Sequence, residues 1–117
     1  MNEDELKRRT KQFSLRIMKL VAALPNTVGR TIAGQLVRCG TSVGANYRSA
    51  CRGRRSRLEF IAKLGIVEEE ADESAFWMEL SIESGLMRRG VVVPLLAEAN
   101  ELTAIMTSSR KSASRRK

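Results

Sequence analysis

The stretch SRLEFIAKLGIVEEEADESAFWMELSIESGLMRRG, residues 56–90, decides the architecture. It reads as one long helix that three others use as a wall. Ser56-Arg57-Leu58-Glu59 is a capping box, in which the Ser56 hydroxyl accepts from the Glu59 backbone N–H and the Glu59 carboxylate accepts from the Ser56 N–H. Phe60, Ile61, Leu64, Val67, Ala71, Ala75, Met78, Ile82 and Leu86 then recur at helical steps and make an apolar stripe. Arg88 and Arg89 suit the negative end of such a helix, and Gly90 suits the left-handed position beyond it.

Three more helices follow from the same logic. The first covers about 3–24: Asn2 caps it, and Leu6, Thr10, Phe13, Ile17, Leu20 and Leu24 form a heptad seam. Pro25-Asn26-Thr27 turns the chain, with Thr27 as the cap of a second helix over 28–53. Its inward stripe is Ile32, Leu36, Cys39, Val43, Tyr47 and Ala50. Gly34, Gly40 and Gly44 each cost that helix about 1 kcal/mol relative to alanine, which is tolerated where another backbone comes close. The long helix runs 56–89. Val91-Val92-Val93 then connects to a fourth helix over 94–109, with Pro94 in its first turn and Leu95, Leu96, Ala99, Leu102, Ile105 and Met106 inward. Residues 110–117 read as a basic tail. Short connections between four amphipathic helices predict an all-α, up-down-up-down four-helix bundle of one domain, residues 1–109.

The second and third helices form a hairpin that pairs residues whose numbers sum to roughly 109. This register predicts Gly44 opposite Gly65, Arg38 near Glu68 and Asp72, and Arg30 near Glu79. Val37, Ile66, Phe76 and Trp77 do not all fit one inward seam, which predicts self-association.

Composition narrows the function. The 117 residues carry no histidine, so there is no imidazole base or ligand. Cys39 and Cys51 lack the CxxC spacing of a zinc site and are expected to be reduced core residues of a cytoplasmic protein. The Glu68, Glu69, Glu70, Asp72, Glu73 run lacks the Glu-x-x-His partners of a di-metal bundle. Gly40-Thr41-Ser42-Val43-Gly44 lacks the lysine of a phosphate loop and suits helix packing. No enzyme, cofactor or metal is expected. There is no unbroken apolar run of about 18 residues and no basic-then-apolar leader, so neither a membrane span nor a secretory signal is expected.

The net charge of +8 favours a polyanionic partner, and aromatics at 4% argue against a stacking platform for bases. Residues 26–58 hold seven arginines and no acid. With Arg30 and Arg38 matched to the long helix, Arg48, Arg52, Arg54, Arg55 and Arg57 remain, gathered at one end with Glu59 as the expected nearby acid. With Arg115 and Arg116 of the tail, they are the candidate contacts to nucleic-acid phosphates, DNA or RNA, salt-sensitive and blind to sequence. The alternative is a protein-interaction scaffold that uses the acidic belt and outer apolar residues.

Thr41-Ser42-Val43-Gly44-Ala45-Asn46-Tyr47-Arg48, Ala50-Cys51-Arg52, Glu59-Phe60-Ile61-Ala62-Lys63-Leu64, Glu69-Glu70-Ala71-Asp72-Glu73, Trp77-Met78-Glu79-Leu80 and Glu83-Ser84-Gly85-Leu86 resemble the bacterial four helix bundle protein family. That family includes proteins encoded within intervening sequences of 23S ribosomal RNA genes. It is related to the accessory variability determinant of diversity-generating retroelements. The resemblance covers about residues 5–107. It implies a left-handed bundle assembled as a cyclic homopentamer and, by analogy with the retroelement relative, a basic surface that binds nucleic acid. It supplies no catalytic residues. For Asn46 and Tyr47, within its motif, an inter-helix polar contact is the expected role.

Overall fold

Each apolar stripe becomes a helix: α1 (Glu3–Ala22), α2 (Arg30–Cys51), α3 (Arg57–Glu83) and α4 (Arg89–Arg115). This computed structural model describes residues 1–24, 29–52 and 56–115. The Pro25-Asn26-Thr27 turn with its cap, and the expected helix end at Gly53, lie outside the described residues. Each helix packs on its sequence neighbour, and α4 returns to touch α1, which closes a bundle of 50 × 21 × 20 Å. Successive helices run antiparallel. One end therefore gathers the start of α1, the end of α2, the start of α3 and the end of α4, and a cleft there is lined by Asn2, Leu6, Tyr47, Phe60 and Ser112.

The seams bury as the spacing predicts. Leu6, Thr10, Phe13, Ile17 and Leu20 of α1 and Ile32, Leu36, Cys39, Val43, Tyr47 and Ala50 of α2 are all buried. Both expected caps form: the Asn2 side chain accepts from the Glu5 N–H at 2.8 Å, and the Ser56–Glu59 capping box is complete. The polar residues in the core satisfy themselves locally. The Thr10 hydroxyl donates to the Leu6 carbonyl at 2.8 Å, Ser81 to the Met78 carbonyl at 2.8 Å, and Ser74 to the Glu70 carbonyl at 2.8 Å. Asn46 donates to Ser42 and accepts from Lys63 of α3 at 3.4 Å, the expected inter-helix contact. Tyr47 is buried and its phenol is pushed up by that burial and by Cys51 on its own helix; the inter-helix hydrogen bond expected of it does not form among the described residues.

The hairpin register holds, since Asn46 meets Lys63 and Arg38 meets Glu70. Three details differ. Arg38 pairs with Glu70 and Glu73, one turn-face away from Glu68 and Asp72. Arg30 makes no ion pair among the described residues. Gly44 does not face Gly65: a Cβ at Gly44 would lie 2.7 Å from Ser14 Oγ and 3.2 Å from the Thr10 carbonyl, both on α1, whereas Gly65 faces Arg110 of α4. The close approach that the glycines permit is therefore between α1 and α2.

The boundary between α3 and α4 also differs. Gly85, with φ of +79°, takes the left-handed position expected of Gly90. Its N–H donates to the Ile82 carbonyl and the Met87 N–H to the Ser81 carbonyl, both at 3.0 Å, which ends α3 at Glu83. α4 begins at Arg89, so Pro94 sits inside it and forgoes the bond to the carbonyl of Gly90. Val92 is fully buried, and seating it and Leu95 on one face keeps the residues before the proline helical. The helix also continues through the expected tail to Arg115. Glu68 of α3 holds it there, accepting from Arg110 Nε at 2.9 Å and from the Thr107 hydroxyl at 2.7 Å. By length and composition α4 meets the requirement for a membrane span, with a mean hydropathy of 1.2 over an 18-residue window. Its carboxylates, Glu98 and Glu101, are both engaged by Arg9.

Gly40 and Gly34 give opposite expectations. A Cβ at Gly40 would sit 2.6 Å from Ile17, a buried, β-branched side chain with little freedom, while at Gly34 nothing lies within 4 Å. In urea unfolding, Gly40→Ala is expected to lose about 1 kcal/mol after its helix-propensity gain is set against overpacking. Gly34→Ala is expected to gain about 0.5–1 kcal/mol.

Candidate functional site

Ion pairs tie three of the four helix seams. Arg9 of α1 reaches across to α4, with Nε on Glu98 at 2.7 Å, Nη2 on Glu98 at 2.7 Å and on Glu101 at 2.8 Å. Those two carboxylates hold the Arg9 guanidinium above its ordinary pKa, Glu98 most strongly. Arg38 joins α2 to α3 through Glu70 and Glu73, and Arg110 joins α4 to α3 through Glu68. The Arg110 hydrogen bond, more than any other influence, holds the Glu68 carboxyl below the usual range. For Glu73 the indole N–H of Trp77, at 3.1 Å, is the largest cause of the same shift, and Arg38 adds to it.

The seam between α1 and α2 has no ion pair among the described residues; it is joined by small residues. The Ser14 hydroxyl donates to the Gly40 carbonyl at 2.8 Å and accepts from the Gly44 N–H at 3.2 Å, so α1 is pinned against α2 backbone. Outside that line lies a groove of about 430 Å³. Lys7, Lys11 and Ser14 form the α1 wall and Thr41, Ala45, Arg48 and Arg52 the α2 wall, with Gly44 between them. Four cations converge there and no described carboxylate lines it. Outside the lining, Asp4 contacts Lys7 at 3.4 Å.

Of the arginines singled out in the sequence, Arg48, Arg52, Arg57 and Arg115 are exposed and make no ion pair among the described residues. Arg54, Arg55 and Arg116 lie outside the described residues. The structure brings Arg48 and Arg52 into the groove, sets Arg57 at the start of α3, and puts Arg115 on the last turn of α4 at the same end of the bundle. That end is less purely basic than expected. The first turn of α1 adds Glu3, Asp4 and Glu5 to Glu59, and Glu3 acts on Cys51. The run of arginines along the chain does not single out Lys7 and Lys11. Each follows a seam residue, Leu6 and Thr10, by one position, and that offset is the signal that could have found them.

Of the acidic run, three carboxylates are engaged, Glu68 facing α4 and Glu70 with Glu73 facing α2, while Glu69 and Asp72 are exposed. Among the described residues no three His, Cys, Asp or Glu side chains gather to hold a metal. Both cysteines are free thiols, and burial pushes each of them up, away from the reactive thiolate.

These features define an all-helical bundle whose ion pairs leave one cationic groove unmatched. The chain belongs to the 23S rRNA-intervening sequence protein family, whose model matches residues 3–108. It is also similar to the crystal structure of a protein of unknown function from the S23 ribosomal protein family of Bacteroides thetaiotaomicron. The two are 32% identical over 95% of this chain and 99% of that one, with a TM-score of 0.84. No protein of curated function is a detectable match.

The paired arginines predict the acid limb of stability. Glu68 and Glu73 have lowered pKa values in the folded chain, so their contribution is complete above the unfolded value near 4.3 and is lost as pH falls through the folded values. Arg110→Ala is expected to cost roughly 0.5 kcal/mol at pH 7, since the pair is partly exposed. In urea titrations its difference from the parent should close as pH falls through the lowered folded value of Glu68, below which that carboxyl is protonated in both.

Proposed function

We propose that this protein is a non-enzymatic, oligomeric helical bundle that binds nucleic acid through its basic groove and the adjoining basic end. The observation that carries the reading is the partition of charge. Arg9, Arg38 and Arg110 are matched within the chain, whereas Arg48, Arg52 and Arg57 are exposed and unmatched among the described residues. Guanidinium groups left in water next to two lysines suit phosphate oxygens. The groove offers no aromatic face, so contacts fall on the backbone and carry little sequence preference. The resemblance to the retroelement accessory protein, with its basic nucleic-acid-binding surface, points the same way.

The test is affinity for mixed-sequence RNA and DNA as salt is varied. Binding should weaken steeply with salt, and the variant with Arg48, Arg52 and Arg57 all changed to alanine should show a slope smaller by about 2 on single strands. An unchanged slope, or no binding by the parent at low salt, rejects the reading.

The oligomer rests on a separate observation. Val37, Ile66, Phe76 and Leu80 are exposed apolar side chains beside Glu69 and Asp72, with Phe76 stacked edge-on to Trp77 at 5.2 Å. On our reading this outer face is covered by further copies of the chain in a cytoplasmic homopentamer. Light scattering is expected to give five chain masses, and Phe76→Glu is expected to lower that number. A monomeric parent would remove the oligomer from the proposal.

A further inference from the structure

We infer that the α1–α2 groove is a seat for a terminal oligophosphate, such as the 5′-triphosphate of an RNA strand, rather than a track for internal phosphodiesters. The inference rests on the nucleic-acid reading above and names what this part of the basic surface takes. Lys7 and Lys11 are one helical turn apart on α1, as are Arg48 and Arg52 on α2, so each wall presents two cations over about 6 Å. The two walls face one cleft of about 430 Å³. Setting Asp4 against Lys7 leaves a local excess of three positive charges. An internal diester supplies a single negative charge per nucleotide, so a passing strand under-fills that excess. A terminal phosphate group carries close to two charges, and a triphosphate more.

The surroundings also set an end point. Asp4 lies at the Lys7 mouth, and Glu3 lies close enough to Cys51 to act on it. A strand continuing past Lys7 along α1 would meet these carboxylates, whereas a chain that stops in the groove does not. Small residues keep the seat open. Gly44 has no side chain, and its backbone is held by Ser14 on α1; Ala45 is exposed and reaches only one carbon into the groove.

The experiment uses the full chain and one short RNA sequence with either a 5′-triphosphate or a 5′-hydroxyl, with inorganic tripolyphosphate as competitor. The triphosphate strand is expected to bind roughly tenfold more tightly, the effect of one or two extra charge-assisted hydrogen bonds. Tripolyphosphate should remove that increment and leave the 5′-hydroxyl binding in place. Ala45→Glu puts a carboxylate among the four cations at an exposed helical position and should abolish the increment. Lys11→Gln, also exposed, should reduce it without altering the helical circular-dichroism spectrum. Equal binding of the two strands, or a preference that survives in both variants, overturns the inference and leaves the nucleic-acid reading standing. Failure of the 5′-hydroxyl strand to bind at low salt is the separate outcome that removes the nucleic-acid reading. Tight capture of tripolyphosphate in that case would assign the groove to a free oligophosphate.

Discussion

The contact between Ser14 and the Gly40–Gly44 turn of α2 is the constraint from which the rest follows. Both the Gly40 carbonyl and the Gly44 N–H belong to α2 backbone, and the Ser14 hydroxyl bonds to each. A side chain at either glycine would collide with Ile17 or Ser14. The two helices therefore come together on backbone rather than on interdigitating large residues. Close axes leave little room between them for long side chains, so Lys7, Lys11, Arg48 and Arg52 are displaced to the rim. The groove is a consequence of that packing.

The same constraint explains where the charges go. On the other seams long arginines bridge to carboxylates: Arg9 to α4, Arg38 and Arg110 to α3. Much of the chain's acid is consumed in this way on α3 and α4. The α1–α2 seam is held by glycine, serine and apolar side chains, so its cations face solvent. An overall charge of +8 is thus unevenly spread, with matched arginines on three seams and, on the fourth, a groove of four cations in which Lys7 contacts Asp4.

The sequence made the helices and their inward faces legible, because burial repeats at the helical period whatever the partner is. The heptad of Leu6 through Leu20 and the Ser56–Glu59 box are local patterns, and both form. Where the fold departs from the local pattern, a partner distant in the chain is the cause. The hairpin partner nearest in sequence points Gly44 at α3, while its neighbour in the fold is thirty residues earlier. Pro94 locally suits a helix start, but the burial of Val92 carries the helix back to Arg89. The run after Thr107 lacks apolar periodicity, yet Glu68 holds it helical through Arg110. Arg9 lies four residues before its next apolar neighbour, and in sequence such an arginine looks the same whether it is solvated or clamped by two carboxylates.

By itself the sequence determined four helices, their core faces, the antiparallel register of α2 on α3, and a surplus of arginine near one end. Periodicity, caps and charge counts are properties of neighbours along the chain, and those quantities depend on nothing else. The tertiary structure alone decided which cations are matched, that α1 rather than α3 meets the glycines, and that two lysines of α1 join two arginines of α2 across one groove. Those outcomes depend on the distance between helix axes, which side-chain size at the contact sets and which no local pattern encodes.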